Sequence, residues 1–268
     1  MLETSGIIFA GLLYKTASPA KSRVPLYRAT CSRMSHIYKV HHIPTSNSNL
    51  LPFLAGKFAS LRLSALSVSR TSFSSTFELE SKFTASEWID RLQRRGVETF
   101  VAVAYSPDTM PEHQTVDTGD WVGSVTLLGP TPKSIYDLPN SGGPSIGDDD
   151  VEDKWQICRL YNSPEHRRKG IAKMLINGAM EYSAKEAGVG RQSRVRLGIH
   201  PDNVLIKMLY DGLGFVDAGN CTLHDAFIIN GDSDLLPEDG GASQPGVYHN
   251  PLGLLMMKTT AWEFDGAR

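Results

Sequence analysis

The segment from Trp155 to Asn162, WQICRLYN, is nearly apolar throughout. A turn, SPEHRRKG, and an amphipathic run beginning IAKMLINGAMEY follow it directly. A strand without alternation between apolar and polar residues has no wet face and belongs in the middle of a sheet. The run after it places Ile171, Leu175, Gly178, Ala179 and Tyr182 on one helical face. A buried strand that turns at once into a helix narrows the choice to layered α/β architectures.

The turn itself carries chemistry. Arg167, Arg168 and Lys169 stand immediately before Gly170 and Ala172. The start of a helix offers unpaired backbone N–H groups and the positive end of the helix dipole. Small residues there let a phosphate oxygen approach, and the basic neighbours add positive potential. Read alone, the spacing also fits a basic helix cap.

Around this unit the elements alternate. HIYKVHHIP (36–44) reads as a strand, and the next stretch puts Leu54, Phe58, Leu61 and Ala65 on one helical face, with Pro52 in the tolerant first turn. TASEWIDRLQRRG forms a second helix with a capping box from Thr84 and Glu87 and a closing Gly96. TFVAVAYS and WVGSVTLLG are strands. RVRLGIH is another, followed by a short helix in PDNVLIKMLYDGLGF, a strand near DAFIIN, and a last strand LGLLMMKTT. Two stretches rich in Pro, Gly, Ser and Asp, near 130–153 and 231–247, read as inserted loops. One domain over 35–268 results, after a leader over 1–34.

The leader is basic and serine-rich, with no acidic residue between Glu3 and Glu78. It resembles an organelle transit peptide; the expected location is the cytoplasm, with the mitochondrion as the alternative if the basic leader is a transit peptide. The formal net charge of −2 gives no electrostatic support for nucleic-acid binding. The apolar stretch Gly6 to Tyr14 is too short to span a bilayer. Cys31, Cys158 and Cys221 lack metal-site spacing, so no metal is expected.

With the second strand–helix unit, the chain resembles the GNAT N-acetyltransferase superfamily over roughly 36–258. LYNSPEHRRKGIA looks like its acyl-CoA motif. NVLIKMLYDGLGF looks like its second motif, an Asn followed seven residues later by a Tyr and then Gly-Phe. The resemblance implies an α/β (α+β) fold whose mixed, mostly antiparallel central sheet splays at the cofactor site and is flanked by helices. It implies acetyl-CoA as co-substrate, with Leu160, Tyr161 and Asn162 pairing with the pantetheine. The amides of Arg168, Lys169, Gly170, Ile171, Ala172 and Lys173 would hold the pyrophosphate, and Asn203 would bond the pantetheine. Tyr210 would protonate the departing thiolate.

Three positions depart from the pattern. Asn162 replaces a common β-branched residue, Arg168 replaces a usual Gly, and Gly198 stands where some members carry a Glu base. His200 and Glu80 are the substitute candidates. The implied activity is acetyl transfer to the primary amine of a small molecule by direct attack in a ternary complex. A protein N-terminal or lysine acetyltransferase, or a CoA-binding module without catalysis, are the alternatives, and a homodimer is compatible with the sequence. The carboxylates Glu78, Glu80, Asp137, Asp148, Asp149, Asp150, Glu152 and Asp153 suggest a cationic acceptor.

Overall fold

The computed structural model describes residues 36–262 except 48, 71, 72 and 74, so the leader over 1–34 lies outside the described residues. Seven strands form one sheet: β1 (Ile37–His42), β2 (Val97–Tyr105), β3 (Asp120–Leu128), β4 (Glu152–Asn162), β5 (Gln192–Ile199), β6 (Val216–Cys221) and β7 (Gly253–Ala261). Their spatial order is β1-β2-β3-β4-β5-β7-β6. Only β4 and β5 run parallel; the other pairs are antiparallel. The helices are α1 (Leu51–Val68), α2 (Phe77–Glu80), α3 (Ala85–Gln93), α4 (Lys133–Tyr136), α5 (Ile171–Ala187), α6 (Val204–Asp211), α7 (Leu223–Ile229) and α8 (Pro245–Tyr248). None of the described helices is long and apolar enough to cross a membrane.

Alternation along β2 explains why helices cover both faces. Phe100, Ala102 and Ala104 pack with Leu175, Ile176 and Ala179 of α5. Val101, Val103 and Tyr105 pack with Leu54 and Phe58 of α1 and with Trp88 of α3. A strand apolar on both faces needs a helical layer on each side to bury its surface. The capping box read from the sequence opens α3: Thr84 Oγ1 accepts the Glu87 N–H at 3.3 Å, and Glu87 Oε2 accepts the Thr84 N–H at 2.6 Å. The helix ends at Gln93, and Gly96 sits just beyond it with φ 76°, turning the chain into β2.

Two local expectations differ from the structure. DAFIIN is helical, not a strand, and the strand at this point is β6, earlier in the chain. Thr222 and Asp225 explain the helix. Thr222 Oγ1 accepts the Asp225 N–H at 3.0 Å, and Asp225 Oδ2 accepts the Thr222 N–H at 2.9 Å, so a capping box prevails over the β-branched composition. The segment near 130–153 folds onto the sheet. Tyr136 is buried and donates to the Trp155 carbonyl at 3.3 Å, while the Arg196 guanidinium lies 3.9 Å from its ring centroid. Lys154, wholly buried, reaches Asp149 Oδ1 at 2.7 Å.

A buried ionic cluster ties α1, α2 and α3 to β4. Glu80 is fully buried and accepts from Arg62 twice, at Nη2 (2.7 Å) and Nε (3.0 Å). Arg91 lies 4.0 Å from Glu80 and 3.7 Å from Asp232, which also pairs with Arg159. Burial pushes the Glu80 carboxyl upward, but the bonds and charge of Arg62, with Arg91, outweigh it and hold its pKa below the usual range. Glu80 therefore contributes stability that is present above the usual carboxylate range and lost as pH falls through its depressed pKa. Glu80→Gln is expected to cost about 3–5 kcal/mol near neutrality, because it leaves buried guanidinium groups without their partner. Urea melts across pH test this: the gap between wild type and variant should close in acid, and a gap under 1 kcal/mol at neutral pH (roughly the worth of an exposed pair) would count against the account.

Candidate active site

The ladder between β4 and β5 runs from Glu152↔Gln192 to Gln156↔Arg196 and stops there. Both strands continue on their other sides: β4 stays paired to β3 as far as Asn162, and β5 to β7 as far as Ile199. The two strands thus part into a wedge. A cavity of about 560 Å³ fills it, walled by Ile157 to Asn162 on β4, Leu197 to Ile199 on β5, and residues of α6 and α7.

A bulge follows on the β3 side of β4. Ser124 pairs with Tyr161 and Thr126 with Cys158, so Val125 faces two residues, Arg159 and Leu160. Arg159 takes φ 55°, in the left-handed region. The extra residue reverses the facing of the strand. Before it, Trp155 and Ile157 face α5; after it, Leu160 faces that side and Tyr161 joins the α1–α3 side.

At one end of the cavity lies the basic turn. Arg168 has φ 60° and Gly170, the residue before α5, has φ 79°. The first position explains why a glycine would suit it. The helix opens with no side-chain cap, so the N–H groups of Ile171, Ala172 and Lys173 lack helical acceptors. A Cβ built on Gly170 would meet nothing within 4 Å, so the space before the helix is open. Arg167, Arg168 and Ala172 line the cavity. Lys169 turns aside, donating to Tyr38 Oη at 3.0 Å, and Ile171 is buried in the core beneath the turn.

Midway along the wall, Tyr210 on α6 is buried, its ring edge-on to Phe215 with centroids 5.3 Å apart. Burial, with Cys158 nearby, pushes its phenol up, so the group stays protonated across ordinary pH. Asn203 lines the cavity and caps α6, its Oδ1 accepting the Ile206 N–H at 3.3 Å. Asn162 Oδ1 and Tyr161 Oη are buried without hydrogen-bond partners among the described residues.

The structure thus gathers Leu160, Tyr161, Asn162, Arg168, Ala172, Asn203 and Tyr210 around one cavity. It places Glu80 and His200 elsewhere. Glu80 is sealed behind the cavity by Arg62. His200 is outside the lining, its Nδ1 accepting the Asp202 N–H at 3.2 Å. The acidic run is also remote from the cavity. Asp148 pairs with Lys133, Asp149 with Lys154, Glu152 with Arg194 and Asp153 with Arg191. That run enters β4 while the basic turn leaves it, and none of its residues is in the cavity lining. Glu78 and Asp137 are outside the lining too, so the suggestion of a cationic acceptor gains no support from it. Among the described residues Asp232 is the one acidic residue in the lining, and it is paired to Arg159. Sequence reasoning missed Arg62, Arg159 and Asp232; the signal available was the single arginine inside an otherwise apolar strand.

A family model described as the acetyltransferase (GNAT) family matches residues 75–215. No curated protein matches the chain in sequence. Solved structures that it resembles include a GNAT-family acetyltransferase from Streptococcus pneumoniae, at 13% identity and TM-score 0.49, covering 84% of this chain and 100% of that one. NAA60 of Arabidopsis thaliana, in complex with a bisubstrate analogue, is 15% identical with TM-score 0.47, covering 82% and 98%. The ribosomal-protein-S18-alanine N-acetyltransferase of Escherichia coli is 10% identical with TM-score 0.43, covering 87% and 99%. The family match takes in more than half of the chain, from α2 through the parted strands to the end of the α6 turn, and on that ground the protein belongs to the acetyltransferase (GNAT) family.

Proposed function

We propose that the protein transfers an acetyl group from acetyl-CoA to the primary amine of a small molecule, by direct attack in a ternary complex. The observation that carries this is the parted β4–β5 seam, which opens a cavity past a buried, protonated phenol. Backbone groups of β4 beyond Gln156 have no partner on the β5 side, and an amide-bearing pantetheine arm would satisfy them. The orphaned Asn162 Oδ1 offers that arm a further acceptor. Phosphates would meet the open amides of Ile171, Ala172 and Lys173 together with Arg167 and Arg168.

Tyr210 would give its proton to the departing sulfur as the new carbon–nitrogen bond forms and the carbon–sulfur bond breaks. The amine would lose its own proton to water, because the cavity lining holds no free carboxylate among the described residues. A small acceptor is favoured by the end of the cavity remote from the basic turn. Arg62 and Asp232, each at least nine-tenths buried, line that end deep within the fold, away from the surface on which a long peptide would lie.

Thiol release with acetyl-CoA and a panel of amines tests the activity. Tyr210→Phe is expected to lower kcat by about 10²–10⁴-fold while leaving acetyl-CoA affinity in place. Acetyl-CoA at a hundredfold excess over its dissociation constant should stabilise wild type and variant alike by about 2.7 kcal/mol. Wild-type turnover in the variant would remove Tyr210 from the mechanism. Stabilisation without thiol release from any amine would show a binding module instead of an enzyme.

Arg168→Gly separates conformation from charge. Relief of the left-handed backbone is expected to raise stability by up to about 1 kcal/mol. Loss of the guanidinium should weaken acetyl-CoA binding. Urea midpoints and calorimetric titration read the two effects, and unchanged affinity would take Arg168 out of the phosphate site.

A further inference from the structure

The ionic cluster at the end of the cavity away from the basic turn carries one more positive than negative charge among the described residues. Arg62 and Arg159 line the cavity, Arg91 stands behind them, and the three guanidinium groups meet two carboxylates, Glu80 and Asp232. Arg62 is 6% exposed, and its Nε and Nη2 are taken up by Glu80. Its Nη1 is buried with no hydrogen-bond partner among the described residues. Arg159 gives Nη2 to Asp232 and to the Asn230 carbonyl, and its Nε is likewise buried and unpartnered. Both side chains line the cavity, at the end away from the basic turn. Phe73, another lining residue, lies 4.6 Å from the Arg62 guanidinium carbon and holds its plane by stacking.

Unpaired cationic donors in a buried site are costly, and a ligand that brings lone pairs and negative charge removes that cost. An ammonium group would be repelled by the excess charge. A planar carboxylate matches guanidinium donors in both shape and sign.

We infer that the acceptor amine carries a carboxylate, held at the closed end of the cavity by Arg62 and Arg159, so that the substrate class is an amino acid in the broad sense. The inference rests on the acetyl-transfer reading above for the amine, but the carboxylate site stands on the charge arrangement alone. Anchored there, the acceptor extends its amine along the cavity toward the middle of the β4 wall, where Tyr210 stands.

Matched acceptors test it: glycine, β-alanine, 4-aminobutyrate and phenylalanine, each against its own carboxamide, with 1,4-diaminobutane as the cationic control. For at least one pair, kcat/KM is expected to be roughly 10- to 100-fold higher for the carboxylate, the worth of a charged hydrogen bond in a buried site. Equal rates for acid and amide throughout, or preference for the diamine, would overturn the proposal. A second measurement needs no turnover. Propionate, butyrate and phenylacetate, with CoA present, should raise the melting temperature and compete with the acceptor, whereas their amides should not. Arg62→Lys keeps a cation beside Glu80 but loses the unpartnered Nη1, and should narrow the difference between acid and amide. Arg159→Lys serves the same purpose if that variant fails to fold, as judged by loss of the CoA-induced melting shift. If no amine of either kind releases thiol, the transferase reading fails, and the comparison of carboxylate with amide binding still decides this one. Carboxylates that bind no better than their amides would overturn it.

Discussion

Opposite Val125, strand β4 places Arg159 and Leu160 where a regular ladder has room for one residue. The strand reverses its facing at that point, and the β4–β5 pairing has already ended three residues earlier, at Gln156. Without the bulge, Leu160 would stay off the α5 side and Tyr161 would leave the α1–α3 side, so both cores would lose a member. Holding Arg159 at φ 55° costs about 1–2 kcal/mol. Its side chain offsets this by bonding Asp232 and the Asn230 carbonyl, so the residue that bends the strand also anchors the segment that closes the cavity.

That anchor belongs to the larger ionic cluster. Arg62 on α1, Glu80 on α2 and Arg91 on α3 meet Asp232 and Arg159. A buried pair is weak support for stability by itself, because desolvation offsets most of the attraction. Its consequence here is geometric: three helices, a strand and the segment after α7 must keep one relative position, since displacing any of them strands a buried charge. The cavity inherits its rigid closed end from this requirement.

Much of the fold was legible because its signals are local. The capping box of α3, the apolar face of α1, the basic turn before α5 and the two-faced burial of β4 each lie within a dozen residues. DAFIIN was misread because its β-branched residues outweighed a capping signal, Thr222 with Asp225, that sits at its start. The acidic run adjoins β4 in sequence, yet it enters that strand at the end opposite the basic turn and pairs with Lys133, Lys154, Arg194 and Arg191 instead of lining the cavity. Pairing of Arg159 with Asp232 spans 73 positions, and no pattern of spacing announces such a contact. The positive end of the cavity could be read only once the chain was folded.

The resulting distribution of charge along the cavity has a direction. Arg167 and Arg168 make one end positive, Arg62 and Arg159 make the other end positive, and the wall between is apolar apart from Tyr210, Asn203 and the open backbone of β4. Under the proposals above, phosphates are drawn to the first end and a carboxylate to the second, so the two substrates enter with fixed and opposed orientation. Their reacting groups are then left to meet in the uncharged middle. The apolar surroundings of that middle disfavour a positively charged amine, which promotes the neutral nucleophile. The same apolar surroundings keep the Tyr210 phenol protonated. Gly198 also lines the cavity, so this position brings no carboxylate to that middle.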